Sequence, residues 1–190
     1  MLFRSEEPEF YDYLVWKLTE QNLEAVRQFA AMGVDAITID ESGATSDMIS
    51  PRQFERFCAP TTKALVDEAR RLGLKTIVMY WGGVMDRLDL IAGIAPDAIL
   101  VEASMKGYTN DIGAIAEAIG DRISLFGNLN PHTELELVTD SELERLVAAQ
   151  CEAGRKARGF FISPASPITP DTPLARVQRF IELARHHGAS

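Results

Sequence analysis

An α/β fold built from parallel strand–helix units is predicted by three observations. Five short runs rich in β-branched residues are continuously apolar rather than alternating, as in strands covered on both faces. Each run is flanked by a stretch with helical spacing, and the links between them are short, which implies right-handed crossovers in a parallel sheet. No linker, low-complexity tract or shift of composition interrupts the pattern, so residues 1–190 are expected to form a single domain.

The elements follow in order. A helix over about Pro8 to Ala31 places Phe10, Leu14, Leu18, Ala25 and Phe29 at helical spacing and stops at Gly33. The first strand is "DAITID", Asp35 to Asp40. Ser50-Pro51-Arg52-Gln53 then opens a helix with a capping hydroxyl, a proline at its first position and a glutamine three residues on. Pro60 breaks that helix, and a second segment runs to about Leu72. The remaining strands are "LKTIVMYW" (Leu74 to Trp81), "DAILVEA" (Asp97 to Ala103), "RISLFGN" (Arg122 to Asn128) and "GFFISPA" (Gly159 to Ala165). Between them, helices are expected at about Val84 to Gly93 and Asp111 to Ile119. A capping box at Thr139-Asp140-Ser141-Glu142 starts another, which ends near Ala153. Thr172-Pro173 begins the last, which ends at Gly188.

Periodicity leaves two architectures open, an open doubly wound sheet and part of an eight-stranded barrel. No GxGxxG or GxxxxGK[ST] follows a strand, which weighs against nucleotide-binding open sheets. Both architectures place ligands at the C-terminal strand ends.

The bulk properties exclude several partners. A net charge of −9, with scattered Lys and Arg, argues against a nucleic-acid backbone. No apolar run reaches the roughly 18–20 residues of a membrane span, and "LFRSEEPEF" after Met1 is unlike a signal peptide. Cys58 and Cys151 lack metal or redox spacing and are expected to be core thiols in a reduced, cytoplasmic compartment.

The strand ends carry the candidate chemistry. Asp40 and Glu41 open "DESGATSDMISP" and could act as acid or base, although Asp40 could equally cap the turn at Ser42-Gly43. Glu102 ends an apolar run, where a carboxylate is costly to bury. It therefore either pairs with a base such as Lys106 or faces a ligand. "FGNLNPH" offers Asn128 and Asn130, each also a plausible turn residue, and a surface His132. Ser166, in the proline-rich "SPASPITPDTP", is a possible hydrogen-bond donor with no neighbouring base to activate it. His186 and His187 fit the end of a helix, where charge and dipole agree. The second strand ends in Tyr80-Trp81-Gly82-Gly83, an aromatic wall with a hydroxyl.

Four stretches resemble the uroporphyrinogen decarboxylase superfamily, which contains that decarboxylase and corrinoid-dependent methyltransferases. They are "GVDAITIDESGATSDMISPRQFERFCAP", "DAILVEAS", "GDRISLFGNLNP" and "GFFISPASPITPDTPLARVQRFIE". The resemblance implies a TIM-like (β/α)8 barrel of which this chain holds only the last five strand–helix units. The spacing from Asp40 to Ser50-Pro51 is similar to that of the methyltransferase branch. Its members bind zinc through a His-x-Cys and a later Cys, and the resemblance places these ligands on Tyr80, Gly82 and Ser166. None is a zinc ligand of that set, so no zinc is expected. The decarboxylase's strand-end His also falls on Ser166, and its substrate-binding arginines and key aspartate belong to the half outside this sequence.

The resemblance thus implies a zinc-independent enzyme near the methyltransferase branch. It would work on a small or tetrapyrrole substrate with a corrinoid held by a partner protein. Asp40, Glu41 and Glu102 would be its catalytic groups, and Tyr80, Trp81, Asn128, Asn130 and Ser166 its binding groups. Porphyrinogen decarboxylation is the first alternative. A non-catalytic interaction module is the second, since five barrel strands leave two free edges that favour association, including homo-oligomerisation.

Overall fold

Five parallel strands lie side by side in chain order in the computed structural model, which describes residues 6–188. They are β1 (Ala36–Asp40), β2 (Lys75–Tyr80), β3 (Ala98–Val101), β4 (Ser124–Phe126) and β5 (Phe160–Phe161). A doubly wound sheet reverses its strand order at a switch point. The unbroken order here, with right-handed crossovers, instead puts every helix on one face, as in a sector of a barrel.

Helix α1 (Pro8–Ala31) precedes β1, and α2 (Pro51–Phe57) and α3 (Ala59–Arg71) follow it. Then come α4 (Leu88–Ile94), α5 (Ile112–Ile119), α6 (Asp140–Gly154) and α7 (Leu174–Gly188), each after its strand. The α2 cap is the reciprocal Ser50–Gln53 box read from the sequence. The break falls at Cys58 rather than at Pro60, because a proline without an N–H is tolerated in the first turn of α3. Among the described residues no helix is long and apolar enough to cross a membrane.

Strand register separates the two faces. Ile39, Val78, Ile99, Leu125 and Phe160 pair across the sheet in one row. The first four are buried in the main core with Phe54, Val66, Ile91, Ile115 and Ile119 of the helices, and Phe160 packs against it. Each such side chain contributes about 1.5–3 kcal/mol when fully buried. Gly154 of α6 lets the Phe160 ring approach, since a Cβ there would overlap it. The next row, Asp40, Met79, Leu100, Phe126 and Phe161, points to the opposite, lumen face. Phe126 and Phe161 stack there with centroids 4.6 Å apart.

Three boundaries differ from expectation. β5 shrinks to two residues, but its ladder resumes at a bridge between Leu129 and Pro164. α4 starts at Leu88 instead of Val84, because the preceding residues are tied to neighbouring loops. A π-helical turn, Pro131–Glu136, follows "GNLN"; Asn130 caps it by accepting from the amides of His132 and Thr133.

Candidate active site

The end of β3 carries the strongest chemical feature. The Glu102 amide continues the ladder by donating to the Tyr80 carbonyl, so alternation after Val101 turns the Glu102 side chain to the lumen face. The residue is only 6% exposed. Its Oε1 accepts from the Ala103 amide at 2.9 Å, and it has no ion pair among the described residues. Lys106, the cation expected to neutralise it, is exposed on the following loop and makes no ion pair there either. A buried carboxylate held by one amide and no cation is an unusual arrangement, since burial penalises its charge.

Three loops close over this position. Gly82 lies against Thr45 and Asp47, and Gly83 against Ser46 and Tyr108; a Cβ on either glycine would overlap these neighbours. Ser46 N–H donates to the Gly83 carbonyl at 2.8 Å, and Gly83 N–H to Asp47 Oδ1 at 3.3 Å. The two glycines are therefore required by close approach of loop 41–50 and of the loop bearing Tyr108. Burial first, then the Glu102 and Asp47 carboxylates, push the Tyr108 phenol up. Arg87, fully buried, braces the same loops. Its guanidinium donates to the carbonyls of Ala44 at 3.0 Å and Ile49 at 2.8 Å, pairs with Asp86, and lies over the Phe54 ring.

The end of β1 divides its two carboxylates by strand parity. Asp40 is exposed on the lumen face and accepts from the Ser42 amide at 2.9 Å, the local turn capping that competes with a catalytic reading. Glu41 turns to the helix face, where Thr62 donates to it. Burial first, and then Asp40, push the Glu41 carboxyl up, against the effect of the Thr62 bond. Tyr80 shares this helix-face layer. It is wholly buried beside Phe54, with its hydroxyl unpartnered among the described residues. Burial followed by the Glu41 charge raises that phenol.

A group whose folded pKa is raised binds more protons folded than unfolded, so stability falls as pH rises above the unfolded value. Glu41→Gln keeps an acceptor for Thr62 and removes this cost. The variant should melt higher than the parent at pH near 7, with the difference shrinking toward about pH 4. Thermal melts across that range measure it, and a pH-independent difference would refute the assignment.

The other sequence candidates spread over the strand ends. Trp81 follows Tyr80 in alternation, partly buried, and makes no hydrogen bond among the described residues. Asn128 is buried and its amide is tied to protein partners, while Asn130 is the cap described above. Ser166 is partly buried just past the Leu129–Pro164 bridge. Two of the three positions implied for zinc do not fit that metal. Tyr80 points under the helices, Gly82 offers no side chain, and its surroundings are filled by Thr45 and Asp47. Asp47, Tyr108, Arg87 and Asn110 were not among the expected site residues. Their one sequence signal was the Gly82-Gly83 pair, which marks a close backbone approach without saying by what.

The profile of the family described as Uroporphyrinogen decarboxylase (URO-D) matches residues 1–187. A uroporphyrinogen decarboxylase of Myxococcus xanthus is 24% identical over 97% of this chain and 50% of its own length. A methylcobamide:CoM methyltransferase of Methanosarcina acetivorans is likewise 24% identical, over 98% of this chain and 51% of its own. The chain thus spans about half the length of these curated relatives. A solved methyltransferase from Methanosarcina mazei superimposes with a TM-score of 0.74 at 21% identity, covering 88% of this chain and 47% of that one. At that identity the likeness speaks for the fold.

Proposed function

The chain belongs to the uroporphyrinogen decarboxylase family, and on that premise we propose that it forms the strand-end half of a methyl-transfer site that works without zinc. The observation that carries this reading is Glu102, a buried carboxyl on the lumen face with no ion pair among the described residues. Glu102 serves as the general acid and delivers a proton to the leaving heteroatom of a small methyl donor. The carbon–heteroatom bond breaks as the methyl group bonds to its acceptor, and the leaving group departs protonated. This activates the donor without a metal at Tyr80, Gly82 and Ser166. Asp40 orients the polar end of the donor from β1, and Trp81, with the Phe126–Phe161 stack, walls the lumen.

We assign the acceptor to a corrinoid carried by a partner protein; the name of the Methanosarcina relative pairs methylcobamide with CoM, and so supports a corrinoid as one side of the transfer, there the donor. Such a group, when bound, supplies a methyl-accepting metal centre. Met48, Met85 and Met105 are exposed on three consecutive strand-end loops, an adaptable apolar rim suited to a protein that presents it.

Charge favours this over decarboxylation of a polycarboxylated porphyrinogen. The loops after the strands (41–50, 81–87, 102–111, 127–130 and 162–173) contain two Lys or Arg residues, Arg87 and Lys106. Arg87 is committed to Ala44, Ile49 and Asp86. Asp47, Asp86 and Asp111 make the same rim acidic, which disfavours a polyanion.

The test offers the intact gene product small methyl donors with free cob(I)alamin, in the presence of a zinc chelator, and separately uroporphyrinogen. Methyl transfer under chelation is the expected result. Coproporphyrinogen formation without methyl transfer would replace this reading with decarboxylation.

A further inference from the structure

We propose that Asn110 and Asn128 are positioning residues for Glu102, fixing the peptide that bears the acid so that its carboxyl meets the substrate from one direction. The inference rests on the acid role given to Glu102 above. The two amides converge on one atom: the Glu102 carbonyl oxygen accepts from Asn110 Nδ2 at 2.9 Å and from Asn128 Nδ2 at 3.1 Å. The second donor of Asn110 goes to the Gly82 carbonyl at 3.0 Å, and that of Asn128 to the Asn110 carbonyl at 2.9 Å. Asn110 Oδ1 accepts from Val84 N–H at 3.1 Å, and Asn128 Oδ1 from Gln150 Nε2 at 3.0 Å.

Every N–H of both side chains is therefore spent on protein, and both residues are buried. Neither amide has a donor left for a ligand, so the buried Asn128 is better placed to hold Glu102 than to bind substrate. The network joins the ends of β2, β3 and β4 to α6. A structural staple across these loops could end on any carbonyl; this one ends twice on the residue whose own Oε1 folds back onto the next amide. The Glu102 backbone and carboxylate are thus held as one unit, with the peptide clamped from outside by the two asparagines.

The test is carbon-13 NMR of the chain labelled at the glutamate carboxyl carbon, with the Glu102 signal identified by its loss in Glu102→Gln. In Asn128→Ser and Asn110→Ser the Glu102 signal should shift or broaden and its titration midpoint should move, while signals of exposed glutamates such as Glu117 stay put. In the intact gene product the same variants should lower kcat for methyl transfer about 100-fold with KM little changed. Should either serine variant lose its cooperative unfolding transition, Gln150→Leu removes only the support behind Asn128 and should give the same signature at smaller amplitude. A folded variant whose Glu102 signal and midpoint match the parent would overturn the proposal. Failure of the acid reading is distinguishable: Glu102→Gln would then leave methyl transfer intact, whatever the carboxyl signal does in the asparagine variants.

Discussion

Replacing Glu102 with glutamine should slow methyl transfer by about 10²–10⁴-fold, the range for loss of a positioned general acid, while leaving the fold at least as stable. Glutamine matches the size of glutamate and keeps an acceptor for the Ala103 amide, so packing at this buried position is preserved. Glutamine carries no charge, so its burial at this site costs no more than that of the parent side chain. The proton is what disappears. Single-turnover rates with the intact gene product, paired with thermal melts, separate the two effects. Glu102→Asp retains an acid one methylene short of its place, so it should fall between the parent and glutamine. A rate within about twofold of the parent in the glutamine variant, together with an unchanged melt, would remove Glu102 from the mechanism.

Which of Glu41 and Glu102 faces the lumen could not be read from the sequence, and the reason lies in strand parity. Apolar runs such as "AITID" and "KTIVMY" are continuous because both faces are covered, and continuity hides which alternate residues face the helices. The register settles it. Ile39, Val78, Ile99 and Leu125 face the helices, so Glu41 and Tyr80 follow onto that face, while Asp40 and Glu102 stay with the lumen. The strands and most helix starts were legible, because capping boxes and apolar spacing are local signals. Periodicity did not decide between open sheet and barrel sector, since that depends on which strands pair; the family resemblance implied the barrel, as the strand order bears out. Nor were Asp47 and Tyr108 visible. They reach the site by loops folding back across Gly82-Gly83, contacts between residues tens of positions apart. The same pair of glycines, read alone, marked only what chemistry was lacking. In the fold they are the floor on which the acidic loops close.

That closure depends on one side chain, and its removal carries the second large expected effect. Arg87→Met should destabilise the chain by about 2–4 kcal/mol. Methionine replaces the apolar stem but not the guanidinium that lies over the Phe54 ring, so the loss is mainly polar. Two carbonyls of loop 41–50, Ala44 and Ile49, lose their charged donor, and charge-assisted bonds of this kind are each worth about 1.5–3 kcal/mol. The ion pair with Asp86 adds little, because Asp86 is 42% exposed. Removing the desolvation cost of a buried guanidinium offsets part of the loss, which keeps the expectation below the sum of the bonds. Lysine cannot reproduce the fork that spans both carbonyls, so Arg87→Lys should recover only part of the difference. Urea unfolding measures the free energy, and hydrogen exchange locates it. Met48 and Ile49, whose amides bond to the Thr45 carbonyl, should exchange faster in the variant, while the Val78 and Ile99 amides of the central strands follow the global change. Because loop 41–50 carries Asp47 onto Gly83, its release would also loosen the acidic rim beside Glu102. A methionine variant with the parent's urea midpoint and unaltered exchange at Met48 and Ile49 would show that the loop is held by packing alone.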